Sequence, residues 1–168
     1  PFGYFNLDDD DLLSTDYFRC ASKYVRDDTV GYYLSFGLGL TGYYDFTNRS
    51  LESLRSCYHP KINIGLMAIG SYDGKEFFIP KRGSHTTVDH FSPLIIDSTS
   101  YKFFWIRSLQ QDTTILKANE AEVISKIKED LDRHKEVSDS TVLEQYFPSL
   151  RQTRLTPPGE EIVLFSGE

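Results

Sequence analysis

Long cationic runs are absent from this chain, and so are long apolar ones. Its 18 Lys and Arg face 25 Asp and Glu, the formal net charge is −7, and no run of five basic residues occurs. Nucleic-acid binding without sequence preference draws its affinity from Lys and Arg on phosphates. Net charge therefore disfavours nucleic acid as a partner and leaves room only for a local basic face. No segment approaches the ~18 apolar residues of a membrane span, and no charged-then-apolar leader opens the chain. Those absences predict a soluble, cytoplasmic protein with no membrane partner. The first residue is Pro1, which fits either methionine removal or a domain cut from a longer protein. Asn48-Arg49-Ser50 would be a glycosylation sequon only if the protein were secreted.

Cysteine is scarce as well, with only Cys20 and Cys57. Both fall on expected apolar helix faces, where a free thiol behaves as a small hydrophobe. A nucleophilic cysteine needs exposure near a histidine at a helix N-terminus. Cys20 is mid-helix, and His59 would point around the helix from Cys57.

Aromatic residues are plentiful: 11 Tyr, 12 Phe and one Trp within a 39% hydrophobic chain of 168 residues. That length suits one domain, residues 1–168, burying about 70% of its unfolded surface. A core rich in Phe and Tyr follows, with each Tyr hydroxyl needing a partner or water. The densest charge cluster is Asp8, Asp9, Asp10 and Asp11. Calcium loops space their oxygens alternately around a bend glycine, so this run reads as solvated acid leading into a helix.

Periodicity outlines the elements. Tyr17, Cys20, Ala21, Tyr24 and Val25 share one helical face behind a Ser14 or Thr15 cap. Val30 to Phe36 alternates as a strand. Leu51, Leu54, Cys57 and Tyr58 predict a short helix starting at Asn48 or Ser50 and stopped by His59-Pro60. Runs at 62–69 and 75–79 flank Asp73-Gly74, a strong hairpin signal. Thr86 to Ile96 and Tyr101 to Leu109 are extended. The second carries Tyr101, Phe103 and Trp105 on one face and Phe104 and Ile106 on the other, as central strands do. A helix is expected over Glu120–Val137 with Asn119 and Glu122 spaced as a capping box, and another over Ser140–Phe147. A loop at Thr153–Gly159 then precedes a closing strand at Glu161–Phe165. Hairpins in the middle and helices at the ends predict an α+β domain: a mainly antiparallel sheet of about five to six strands with helices packed on one side.

Gly37, Gly39 and Gly42 have the G-x-G-x-x-G spacing of a dinucleotide-binding turn. There the glycines open a helix whose N–H groups hold the pyrophosphate, with an acidic residue about 20 positions on. Here Tyr43-Tyr44-Asp45-Phe46 follows, the next cap is at Asn48 or Ser50, and that distance lands near Lys61–Ile62. The glycines instead predict a sharp or left-handed corner between aromatic-rich segments. His85-Thr86-Thr87 is similar to the H-x-T element of some phosphoesterases, which carry two such elements far apart in sequence. The only echo here is His90-Phe91-Ser92, five residues on. His85, Asp89 and His90 hold zinc-type ligand atoms, but on a strand His90 points away from the other two, so no metal is predicted.

Asp97-Ser98-Thr99-Ser100-Tyr101 and Pro158-Gly159-Glu160-Glu161-Ile162-Val163-Leu164 resemble the S-T-S and E-x-E strands of arginine-type ADP-ribosyltransferases. The resemblance implies an NAD site braced by Ser98, Thr99 and Ser100, with Glu161 stabilising an oxocarbenium-like centre. It departs from the family at Gly159, where E-x-E needs its first glutamate. No arrangement of nucleophile, base and orienting group emerges elsewhere. The leading expectation is thus a non-catalytic module, without cofactor, that recognises another protein, as an inhibitor, immunity or recognition domain does. An acidic, tyrosine-rich surface suits a basic partner. The contact candidates are Asp8, Asp9, Asp10, Asp11, Tyr43 and Tyr44.

Overall fold

The computed structural model describes residues 1–109 and 119–150, with the backbone alone for residues 154–156. In chain order the elements are β1 (Phe2–Phe5), β2 (Leu12–Leu13), α1 (Tyr17–Ala21), β3 (Tyr33–Phe36), β4 (Leu38–Asp45) and β5 (Ser50–Tyr58). There follow β6 (Met67–Tyr72), β7 (Phe77–Phe78), β8 (Leu94–Asp97), β9 (Phe103–Arg107), α2 (Glu120–Leu131), β10 (Lys135–Glu136), α3 (Thr141–Tyr146) and β11 (Arg154–Thr156). The α+β class holds, but the single, mainly antiparallel sheet does not. Two mixed sheets form instead: β1-β6-β3-β8 with β7 also on β6, and β10-β5-β4-β9-β2 with β11 also on β5.

The split has its cause at Gly37. β3 and β4 are almost one extended run, and the chain passes from the first sheet to the second at that glycine. β8 and β9 make the same passage through residues 98–102. The two runs travel side by side, so β8 pairs parallel with β3 and β9 parallel with β4. Hydrogen bonds stitch the junction: Gly37 N–H to the Asp97 carbonyl at 3.0 Å, and Lys102 N–H to the Leu38 carbonyl at 3.1 Å. Parallel pairing between such distant segments leaves no turn signal in the chain.

The helix expected from residue 50 is strand β5. Its apolar spacing of three comes from a bulge. Thr41 pairs with Arg55 and Tyr43 with Glu52, so an extra residue sits in β5, and Ser53 has φ +55°. An extra residue flips the inside–outside phase, which puts Leu51 and Leu54 in the same core cluster. Cys57, back in register, faces the other way among Ile62, Ile64 and Phe103.

Helices cover both faces of the second sheet, not one. Tyr43 lies under Val123, Ile127 and Leu131 of α2. On the opposite face Leu40, Phe104 and Ile106 meet Leu143 of α3 and Phe147. α1 packs on the first sheet, with Tyr17 and Ala21 against Leu34, Phe36, Met67 and Ile69. The Asn119 side chain caps α2 by accepting from Ala121 N–H at 3.1 Å. α2 ends at Leu131, earlier than expected, because Lys135 and Glu136 pair with Ser56 and Arg55, and Val137 N–H goes to the Leu54 carbonyl.

β9 is central as expected, between β4 and β2, although Tyr101 turns to pack edge-on against Tyr146. The hairpin also holds. Ser71 pairs with Phe78 and Tyr72 with Phe77, and Asp73 accepts from the N–H groups of Lys75 and Glu76 at 2.8 and 2.9 Å. The extended run expected from Thr86 is broken by a 3-10 turn over His85–His90 before β8 begins. β11 occupies part of the expected loop, while Glu161–Phe165 lies outside the described residues. Among the described residues no helix is long and apolar enough to cross a membrane.

Candidate functional site

The glycine stretch is a sheet junction. β4 begins at Leu38, so no helix N-terminus follows the glycines. Both peptide groups of Gly37 are occupied, its N–H by Asp97 and its carbonyl by His59 N–H at 2.7 Å. None of the three has positive φ; among the described glycines that conformation belongs to Gly31, Gly65, Gly74 and Gly83. What the three need is space. A Cβ on Gly39 would clash with the Phe103 ring at Cδ2, Cε2 and Cζ, and one on Gly42 would come within 2.8 Å of Leu51 Cδ1. The left-handed corner is thus corrected to close packing across strands.

The ADP-ribosyltransferase-like triplet lies at the same junction. Ser98, Thr99 and Ser100 sit in the link between β8 and β9, not on a strand. Asp97 Oδ1 accepts from Thr99 N–H and hydroxyl at 3.0 and 2.8 Å, and Tyr24 donates to Asp97 Oδ2 at 2.8 Å. Ser98 Oγ is buried without a partner among the described residues, beside the space that a Gly37 side chain would take. Glu161 lies outside the described residues.

His85, Asp89 and His90 share the 3-10 turn, and Asp89 pairs with Lys61 at 2.6 Å. No group of three metal-type ligands occurs among the described residues. Burial, with a smaller contribution from Asp130, pushes the Cys57 thiol up to about 12. Such a thiol is a packing group rather than a nucleophile.

The proposed contact residues are unevenly placed. Asp8 and Asp9 are exposed and Asp10 is half-buried. Asp11 is buried, and its Oδ1 has no hydrogen-bond partner among the described residues. Burial first, then Asp10 and Asp8, push its pKa up to about 7 against the pull of the Ile106 N–H and Arg107. Tyr43 is enclosed beneath α2. Tyr44 is half-buried, with its ring 4.7 Å from that of Phe46. Alternation along β4 explains the pair: neighbouring side chains enter opposite faces.

A different set of aromatics reaches solvent together, at the β6–β7 hairpin. Tyr72 and Phe77 stack with ring centroids 4.5 Å apart, and Phe2 from edge strand β1 meets Phe77 edge-on at 5.6 Å. Phe77 is 70% exposed, Tyr72 53% and Phe78 51%. Tyr72 and Phe77 pack on each other and face outward, whereas Phe78, next to Phe77 in β7, points to the opposite face. The hairpin was legible in Asp73-Gly74, but the outward orientation was not. Period-two alternation in Tyr72, Phe77 and Phe78 does not say which sheet face remains uncovered. No family model matches the chain, and neither does any curated protein or solved structure compared with it.

Proposed function

We propose that the protein is a non-catalytic recognition module that docks a basic protein through the aromatic hairpin. The observation carrying this reading is the exposed stacked pair Tyr72 and Phe77, with half-buried Phe2 edge-on to Phe77. Exposed apolar patches of this kind mark interaction surfaces, and aromatic rings are enriched at interface centres. They offer large contact area with few rotatable bonds, so little entropy is lost when a partner covers them. The net charge of −7, with Asp8 and Asp9 open to solvent, favours encounter with a positively charged partner.

The test uses the full chain immobilised beside a Tyr72→Ser/Phe77→Ser double variant of unchanged melting temperature. The wild type should retain a basic protein from native extract, with retention falling as salt rises, and the double variant should lose it. Equal retention by both would refute the hairpin as the docking surface. A concentration-dependent rise in melting temperature with NAD would instead favour the ADP-ribosyltransferase-like reading of Ser98, Thr99, Ser100 and Glu161.

A further inference from the structure

β8 is an edge strand of the first sheet, with β3 on one side and, among the described residues, no strand on the other. Its parallel register fixes where its main-chain groups point. Tyr33 N–H goes to the Pro93 carbonyl at 2.8 Å, and Gly37 N–H to the Asp97 carbonyl at 3.0 Å. In a parallel ladder alternate residues bond to one neighbour, so Pro93, Ile95 and Asp97 face β3. The N–H and carbonyl groups of Leu94 and Ile96 therefore point outward, where they meet no partner among the described residues.

Open edges are usually guarded by charge, proline, a bulge or shortness. Elsewhere in this fold they are: Lys135 and Glu136 charge β10, and β2 is only 2 residues long. Gly3 leaves β1 without a central side chain on which a new strand could pack. Leu94-Ile95-Ile96 has no charge, no internal proline and no break in register. Ile96 is 44% exposed, and with exposed Tyr58 it flanks Gly37.

We propose that β8 pairs antiparallel with β8 of a second copy of this chain, about a twofold axis at Ile95, joining two first sheets into one. That register sets Leu94 opposite the second copy's Ile96 and Ile96 opposite its Leu94. Every outward N–H and carbonyl is then used, because directly opposite residues of an antiparallel ladder exchange both bonds. Ile95 faces its own copy as an apolar cross-strand pair. Charge fits the same arrangement. Lys81 lies at the N-terminal end of β8, its carbonyl accepting from the Ser92 hydroxyl at 3.1 Å, and Asp97 closes the other end. Neither belongs to an ion pair among the described residues. Antiparallel pairing brings the Lys81 end of each copy beside the Asp97 end of the other. An arbitrary extended peptide would fill the ladder without matching both ends. The hairpin lies on β6, across β3 from β8, so this inference and the docking surface can fail separately.

Sedimentation and amide hydrogen exchange of the full chain, from about 10 µM to about 1 mM, test this. A ladder this short belongs at the small end of specific interfaces, so a dissociation constant of about 100 µM is expected. Over that range exchange at Leu94 and Ile96 should slow about fourfold as dimer forms, while Ile95, bonded within its own sheet, stays unchanged. Ile96→Lys should leave a monomer at about 1 mM, because it charges the edge. Lys81→Glu should weaken dimerisation about threefold. The Tyr72→Ser/Phe77→Ser variant should dimerise like the wild type. If Ile96→Lys fails to fold, Lys81→Glu and the wild-type exchange pattern still decide. A wild type that stays monomeric at about 1 mM would overturn the proposal. So would slowed exchange at Phe2–Phe5 in place of Leu94 and Ile96, or a dimer that Ile96→Lys leaves intact.

Discussion

Replacing Asp16 by alanine should be among the most damaging single changes in the molecule, although Asp16 is itself partly open to water. Its carboxylate holds Lys102, whose side chain is 2% exposed and whose Nζ lies 2.9 Å from both Asp16 oxygens. The ammonium also sits 5.5 Å above the Tyr146 ring. Around it, Lys102 bonds through its backbone to Leu38 and Ser14, so the cation lies where the two sheets and α1 meet. Removing the acid strands a buried charge, which costs about 3–5 kcal/mol. Removing the cation instead, as Lys102→Met, leaves a quarter-exposed carboxylate that water can solvate and should cost roughly 0–1 kcal/mol. The asymmetry is the prediction. It has a pH signature too. Burial alone would raise the Asp16 pKa, but hydrogen bonds from Lys102 and Ser14 outweigh it and hold it down to about 2. A depressed folded pKa stabilises above the ordinary value of 3.8. That contribution, about 2 kcal/mol, is lost as pH falls from about 4 to about 2. Urea unfolding followed by the single tryptophan, Trp105, measures all of this. Equal destabilisation by Asp16→Ala and Lys102→Met, or an Asp16→Ala cost below about 1 kcal/mol, would refute the reasoning.

Asp11 should behave in the opposite sense. Its folded pKa, about 7, lies above the ordinary 3.8, so its stabilising contribution is complete below pH 3.8 and is lost as pH rises to about 7. Asp11→Asn should therefore gain melting temperature relative to wild type when the two are compared at about pH 8.5 rather than pH 5, by a few kcal/mol of stability at most. Gly39→Ala should cost about 1–3 kcal/mol or more through overpacking against Phe103, whereas Gly74→Ala, at φ +95° with open space around it, should cost only about 1–2 kcal/mol of backbone strain; thermal melts distinguish them. Cys57, buried and shifted to about 12, should react with a thiol reagent only as fast as the protein unfolds, while half-buried Cys20 reacts first. Mass spectrometry of time points resolves the two.

Local chemistry made several elements legible. Asp73-Gly74 announced the hairpin, Asn119 announced the start of α2, and the two-faced apolar run of β9 announced its central place. The errors fall where distant segments decide. β5 carried a helix-like spacing because a bulge at Ser53 reversed its phase, and the bulge exists only against β4. Tyr43 and Tyr44 were indistinguishable in the chain, yet α2 covers one and not the other. The G-x-G-x-x-G spacing had a local physical meaning, close approach, but Phe103 and Leu51, the groups that approach, come from elsewhere.

The sequence by itself determined the α+β class, the acidity, the aromatic abundance and the turns, because each rests on composition or on contacts within a few residues. The tertiary structure alone decided that two sheets meet at Gly37, that Lys102 is buried on Asp16, and which aromatics face water. These depend on strand pairing across the chain, where register sets neighbours and a one-residue slip would exchange inside for outside.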